Sequence, residues 1–274
     1  MAGRGKNIFG GGRVNYIRLL IAFFWIGVVS EVAYRINFFF QLFQSLISLG
    51  VAVTGLSVIF SFTDTLGGWG HEEILALVGV YIFVGGIIGL VIQPGMQQFI
   101  ESVRDGTLDF TLTKPEDAQL LVSIRQVNIW SLIDIVLGLG VLAFALVRLG
   151  EKVGVLEAAQ FLLMLTVGTV IIYSFFLILA TLSFWFVRVE NFLTIFQSMY
   201  EAGRWPVSLY PGWLRYGLTF VVPVAFATTV PAEALTGRLT LVTLLMAIAI
   251  AAVLFTISRF FWRIGLRHYS GTSA

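Results

Sequence analysis

Residues 101–119 read ESVRDGTLDFTLTKPEDAQ, a polar stretch between two long apolar ones, and the fold follows from reading it against its neighbours. It carries both signs of charge, a turn signal at Asp105-Gly106, and Lys114-Pro115 followed at once by Glu116 and Asp117. Proline near the first helical position with acids in the first turn starts a helix. The stretch is therefore predicted to be a turn plus a short helix lying outside the bilayer. A chain otherwise soluble in lipid has little use for such a segment unless something in the aqueous phase engages it.

The flanking sequence sets the class. Of 274 residues, 58% are hydrophobic and 12% are charged, and the mean hydropathy is +0.93. A water-soluble domain carries about 25% charged residues. The apolar residues fall into runs long enough to cross a bilayer, which takes about 20 residues of helix. They do not alternate as barrel strands do. The prediction is an all-α polytopic membrane protein with six spans, at 36–62, 74–100, 121–147, 156–187, 213–229 and 239–264. Residues 1–13 are expected to be a flexible Gly-rich start and 14–34 an interfacial amphipathic helix, because the apolar run 19–29 is too short to span. Residues 35–268 then form one membrane domain with an aqueous loop at 101–120, followed by a short tail, 269–274.

Charge supports that topology. With the N-terminus cytoplasmic, fourteen Lys and Arg fall on the inside, Arg204 and Arg215 among them, and only Arg148, Lys152 and Arg238 outside, which accounts for all seventeen. This is the positive-inside bias, and two basic ends favour an even number of crossings. The basic residues are spread along one membrane face and contact anionic lipid there. No run of them is dense enough to grip nucleic acid.

Chemistry within the chain is sparse. The absence of Cys removes disulfides, thiolate metal sites and cysteine nucleophiles. The two His, His71 and His268, lack the paired spacing of a metal site, and no span supplies a base for a serine nucleophile. The phosphate-cradling pattern GxxxxGK[ST] does not occur, so an energy source must lie in another polypeptide or an ion gradient. Glycines at 85, 86, 89, 138 and 140, and Gly50 with Thr54, read as close helix packing. Asp134 is the one acid well inside a predicted span. Two readings fit it: a polar point on a substrate route, or a carboxyl hydrogen-bonded across helices. Gln93-Pro94-Gly95 marks either a kink lined by glutamines or a polar helix end. Pro223 and Pro231 mark either a re-entrant rim or a plain loop.

The segment Gly106-Thr107-Leu108-Asp109-Phe110-Thr111-Leu112-Thr113-Lys114-Pro115, lying between a second and a third span, resembles the cytoplasmic loop of ABC-2 type transporter permeases, and in particular a bacterial branch of six-helix permeases of about this length. Tyr34-Arg35-Ile36-Asn37-Phe38 before the first span and Pro223 with Pro231-Ala232-Glu233-Ala234-Leu235 before the sixth fit the same family. The resemblance implies an N-terminal elbow helix, six crossings, and a coupling helix after the second crossing that seats in a separate ATP-binding subunit. It implies two permease subunits, identical or paralogous, paired with two ATPases in the bacterial inner membrane, with both termini cytoplasmic and export as the direction. Within the loop, Arg104, Leu108, Asp109, Phe110, Lys114, Pro115, Glu116, Asp117 and Gln119 are expected to meet the ATPase. No catalytic residue, metal or cofactor site is carried over to this chain, since ATP and Mg belong to the partner. A secondary transporter, which would show gradient-driven flux and an internal repeat, and a non-transporting membrane scaffold are the alternatives.

Overall fold

The computed structural model describes residues 35–113, 117–150, 154–186 and 189–269, and its elements are helices apart from one isolated bridge between Leu66 and Trp69. The expected flexible start 1–13, the interfacial helix 14–34, Lys114, Pro115, Glu116 and the last tail residues lie outside the described residues. Five described helices are long and apolar enough to cross a bilayer: Phe38–Phe60, His71–Arg104, Ile129–Leu149, Val155–Phe184 and Leu241–His268. The end of the bundle carrying residues 101–120 is the loop end, and the opposite one the far end.

Helix α1 (Arg35–Phe60) runs from the loop end to the far end along one edge of the bundle, with Phe40 and Phe43 exposed. After a far-end turn, α2 (His71–Ile87) descends through a π turn (Ile88–Ile92) into α3 (Gln93–Arg104). Gln93-Pro94-Gly95, read as either a kink or a polar helix end, lies inside one continuous 34-residue helix that runs on to Arg104. Pro94 has no N–H to offer the carbonyl four residues back, that of Leu90. The π turn absorbs the mismatch, and the Leu90 carbonyl accepts the backbone N–H of Asn128 at 2.9 Å.

The third crossing also departs from expectation. The loop returns as α4 (Asp109–Leu112) and α5 (Ala118–Ile124). A break at 125–128 separates α5 from the crossing, which begins with a 3-10 turn (Ile129–Ser131) and continues as α6 (Leu132–Leu149). Asn128 causes the break: its side chain accepts the Trp130 N–H at 3.2 Å while its own N–H is held by Leu90. Helices α2 and α6 touch backbone to backbone, since a Cβ on Gly138 would overlap the Phe83 main chain and one on Gly86 would overlap Ile135. Such approach matters in lipid, where apolar side chains gain nothing by leaving an equally apolar solvent. Gly89 packs likewise on Ser131, whereas Gly50 and Gly140 face open space.

Helix α7 (Val155–Thr181) runs back to the loop end through the core, burying Ile171, Ile172, Phe176 and Leu177. The chain then rises again through α8 (Glu190–Tyr200), a 3-10 turn (Glu201–Arg204) and a second one (Val207–Leu209). Leu209 reaches the far end, packing so closely on Gly67 that a Cβ there would overlap it. At ~1.5 Å per helical residue, Glu190–Leu209 is long enough to cross a ~30 Å hydrocarbon core. It is the fifth crossing.

The predicted fifth span, 213–229, is therefore not a crossing. It falls in a hairpin of two arms, Gly212–Val221 and Val224–Leu235, bent by 69° at Val222-Pro223. The first arm is α9 (Gly212–Tyr216) with a π turn (Gly217–Val221), and the second is α10 (Val224–Ala227) with α11 (Thr229–Leu235). It starts beside Leu209 and ends at Arg238, which pairs with Glu73 at 2.6 Å and donates to the Gly68 carbonyl at 2.7 Å. Both ends lie at the far end, so the hairpin enters and leaves by one face. Its second arm is almost wholly buried, and Gly168 of α7 lies against the Phe226 carbonyl. Helix α12 (Leu241–His268) completes six crossings, returning to the loop end where Gly265 packs on Phe184.

Candidate functional site

Two regions carry the polar chemistry of the bundle. The first is the loop. Helix α3 ends at Asp105, and Gly106 (φ 68°) takes a left-handed turn open to few other residues. The N–H groups of Thr107 and Leu108 then donate to the Ser102 carbonyl at 2.9 and 3.2 Å. This folds α4 back onto the chain, with Leu108 fully buried, Thr111 inward and bonded by Arg125 at 3.2 Å, and Phe110 outward and 74% exposed. Among the described residues, an apolar ring so exposed on a polar loop is the feature there that lacks a packing partner.

Beyond α4, Asp117 caps α5, accepting the N–H groups of Gln119 at 3.0 Å and Leu120 at 3.4 Å. The free short helix is thus α4, ahead of Pro115, while the helix that follows the proline is packed against α3 with Leu121, Val122 and Ile124 buried. Arg259 of α12 grips Asp117 through both guanidinium nitrogens and donates to Gln119 at 2.6 Å. Gln119 in turn donates to the Tyr173 hydroxyl at 3.2 Å, which lies 2.8 Å from Ser123. Arg259 beside it holds the Asp117 carboxyl below its usual value.

The residues expected to meet a partner are thereby sorted. Phe110 and Arg104 are exposed, Arg104 lying 3.3 Å from Asp105, and Asp109 is half-buried. Leu108 and Gln119, expected on the same surface, turn inward instead. Leu108 fills the space under the turn and Gln119 satisfies Arg259 and Tyr173. Asp117 is only partly exposed and is engaged by Arg259. Lys114, Pro115 and Glu116 lie outside the described residues. Arg259 was legible only as a topology charge, because its partner stands 142 positions away.

The second region lies within the bundle. A cavity of about 400 Å³ opens between α1, α2, α6 and α8. Gln41, Gln44, Ser45 and Ser48 line it from α1, Asp134 from α6, Gln93 from α3, and Gln197 and Glu201 from the fifth crossing. Asp134 accepts from Ser45 at 2.5 Å and from Gln41 at 3.2 Å. Asp134 is thus bonded across helices, as one sequence reading had it, and also borders the cavity. Tyr81 and Tyr200 stack at 4.9 Å on the cavity wall, Tyr200 donating to the Tyr81 carbonyl at 2.8 Å.

Arg204, assigned above to the inner face, sits instead over the Tyr81 ring at 5.4 Å inside the bundle. Arg215 belongs to the far-end hairpin. The signal for the fifth crossing was present in the spacing of Gln197, Glu201 and Arg204, four and three residues apart, which puts all three on one helical face. Hydropathy averaging hid it, because a crossing with one polar face scores as a loop. Among the described residues no group of three His, Asp or Glu converges to hold a metal ion.

A family model described as ABC-2 family transporter protein matches residues 46–273. No curated protein matches the chain.

Proposed function

Since the chain belongs to the ABC-2 family of transporter proteins, we propose that it is the permease subunit of an ATP-driven exporter whose ATP-hydrolysing partner docks on residues 101–120. The observation that carries this reading is Phe110, an exposed aromatic ring at the tip of an otherwise self-satisfied loop. Buried aromatic anchors dominate many interfaces, and a ring held out in water is positioned to become one. Arg104 and Asp109 flank it with charge of both signs. The outward direction and the bacterial inner membrane follow from the resemblance of the loop and of the Pro223 to Leu235 segment to the bacterial permeases.

The geometry offers a route for force. A push on α4 reaches Ser102 through the turn, and α3 continues without interruption into α2. The Leu90–Asn128 bond and the Gly95–Ser123 contact lock that rod to α5 and to the start of α6. Ile88, in the π turn, and Gln93, just after it, line the cavity, so rotation of the rod alters the cavity directly. The exposed α1 and the polar groove beside it are suited to closure by a second permease subunit, with Asp134 one polar point on the enclosed route. ATP and Mg reside in the partner.

The test is co-expression of this chain with its candidate ATP-binding protein, followed by co-purification and a transport assay in inverted vesicles. Co-purification that is lost when residues 105–113 are replaced by a Gly/Ser linker, with insertion unchanged, is the expected result. Retained docking and transport after that replacement would exclude the loop. ATP hydrolysis by the purified chain alone would exclude the division of labour.

A further inference from the structure

The re-entrant hairpin and the start of α12 enclose a separate far-end cavity of about 480 Å³. Its walls carry Arg215 on the first arm and Glu233 on the second, with Thr243 contributed by α12. Among the described residues, neither charged side chain forms a hydrogen bond or an ion pair; Glu233 senses Arg215, and Arg238 as well, only through space. The Thr243 hydroxyl, by contrast, is already paired with Thr240 at 2.9 Å. An acid and a base therefore face one cavity without direct hydrogen-bonding partners, and burying such groups is costly unless they are paired.

Depth identifies what fits. Arg215 stands in the first turn of the arm that begins at Gly212, Glu233 in the last turn of the arm that ends at Leu235, and Thr243 in the first turn of α12. All three lie at the far-end rim. Phe220 and Met246, further along the same elements, line the apolar interior. Tyr216, which lines the cavity, is 69% exposed, and Trp213, next in sequence to the lining Gly212, is 76% exposed; these residue types settle at the membrane–water interface. The cavity thus presents charge at headgroup depth and apolar surface at acyl-chain depth.

A headgroup of one sign would bring a like charge against Arg215 or Glu233. A zwitterion satisfies both. The planar guanidinium pairs with a phosphate through two N–H bonds. The carboxylate needs an N–H donor, which a primary ammonium has and a quaternary one lacks. We propose that this cavity binds one phospholipid with a phosphoethanolamine headgroup from the far-end leaflet, its phosphate on Arg215, its ammonium on Glu233 and an acyl chain along Phe220 and Met246. The proposal rests only on the chain being embedded in a membrane and is independent of the docking reading.

The test is native mass spectrometry of the detergent-purified full chain, titrated with phosphatidylethanolamine, its N-methyl and N,N-dimethyl forms, phosphatidylcholine and phosphatidylglycerol. Wild-type protein is expected to retain phosphatidylethanolamine roughly tenfold better than phosphatidylcholine, with the drop at the last methylation, where the final N–H is lost. Glu233→Gln should erase that difference and Glu233→Asp should keep part of it, while Arg215→Gln should weaken retention of every phospholipid. Equal retention of phosphatidylethanolamine and phosphatidylcholine by the wild type overturns the proposal. So does a preference for phosphatidylglycerol, or an unchanged ratio in Glu233→Gln. The wild-type headgroup series decides the matter by itself should a variant fail to fold.

Discussion

Arg259, about two and a half turns from the end of the last crossing, holds Asp117, the residue that caps the helix returning from the loop, by a two-nitrogen grip on its carboxylate. The two are 142 residues apart, and their contact joins the loop to α12. Arg259→Gln is expected to leave membrane insertion unchanged and to loosen the loop. Both side chains are about a third exposed, so after solvent screening the cost is roughly 1 kcal/mol or less. Limited proteolysis within 105–125 should quicken several-fold, and the Asp117→Arg, Arg259→Asp double variant should recover part of the protection.

The same pair fixes a pH dependence. The Asp117 carboxyl has a folded value below its ordinary 3.8. A depressed acid stabilises the fold above its unfolded value and loses that contribution as pH falls through the folded one. The difference in melting temperature between wild type and Asp117→Asn should therefore be constant above about pH 4 to 5 and shrink below it. A difference that grew on acidification would contradict the pairing.

Phe110 and Leu108 are two positions apart and face opposite ways, which separates docking from folding. Phe110→Ala removes a side chain that is 74% exposed; stability should stay within about 0.5 kcal/mol. Affinity for the proposed ATPase subunit should fall by roughly 2 kcal/mol or more, about thirtyfold. Leu108→Ala removes a fully buried one and should cost about 2–5 kcal/mol of stability. Binding and melting measured on both variants check the distinction.

The hairpin assignment is open to labelling, because the chain has no native Cys. Single Cys at Ser208 and at Thr107, both exposed, should react with a membrane-impermeant thiol reagent from opposite sides of sealed vesicles. Were 213–229 a true crossing preceded by a loop-end segment, both would react from one side.

Five of the six crossings, a polar loop after the second, and close glycine packing of α2 on α6 were legible in the sequence, since each rests on local composition or on residue size. The fifth crossing was not, because Gln197 and Glu201 face a cavity and Arg204 lies over the Tyr81 ring, and all three depress the average by which spans are recognised. Pro94 was visible as an irregularity, but its resolution was not. The donor that answers Leu90 comes from Asn128, and nothing near either residue signals the other. In the loop, alternation of exposed and buried side chains through one helical turn divided the candidate contacts. Four residues of sequence, Asp109 to Leu112, carry too little periodicity to announce it.

The junction at Leu90 and Asn128 joins main chain to main chain, so an alanine scan is nearly blind to it. One side-chain handle on it is Pro94, which acts by withholding an N–H from the Leu90 carbonyl. Exchanging Pro94 for Ala ordinarily favours a helix by about 3 kcal/mol. Here it would supply a local N–H to compete for the very carbonyl that ties the second crossing to the third. A textually stabilising change would then slacken the transmission between loop and cavity, and a more regular helix would make a poorer lever.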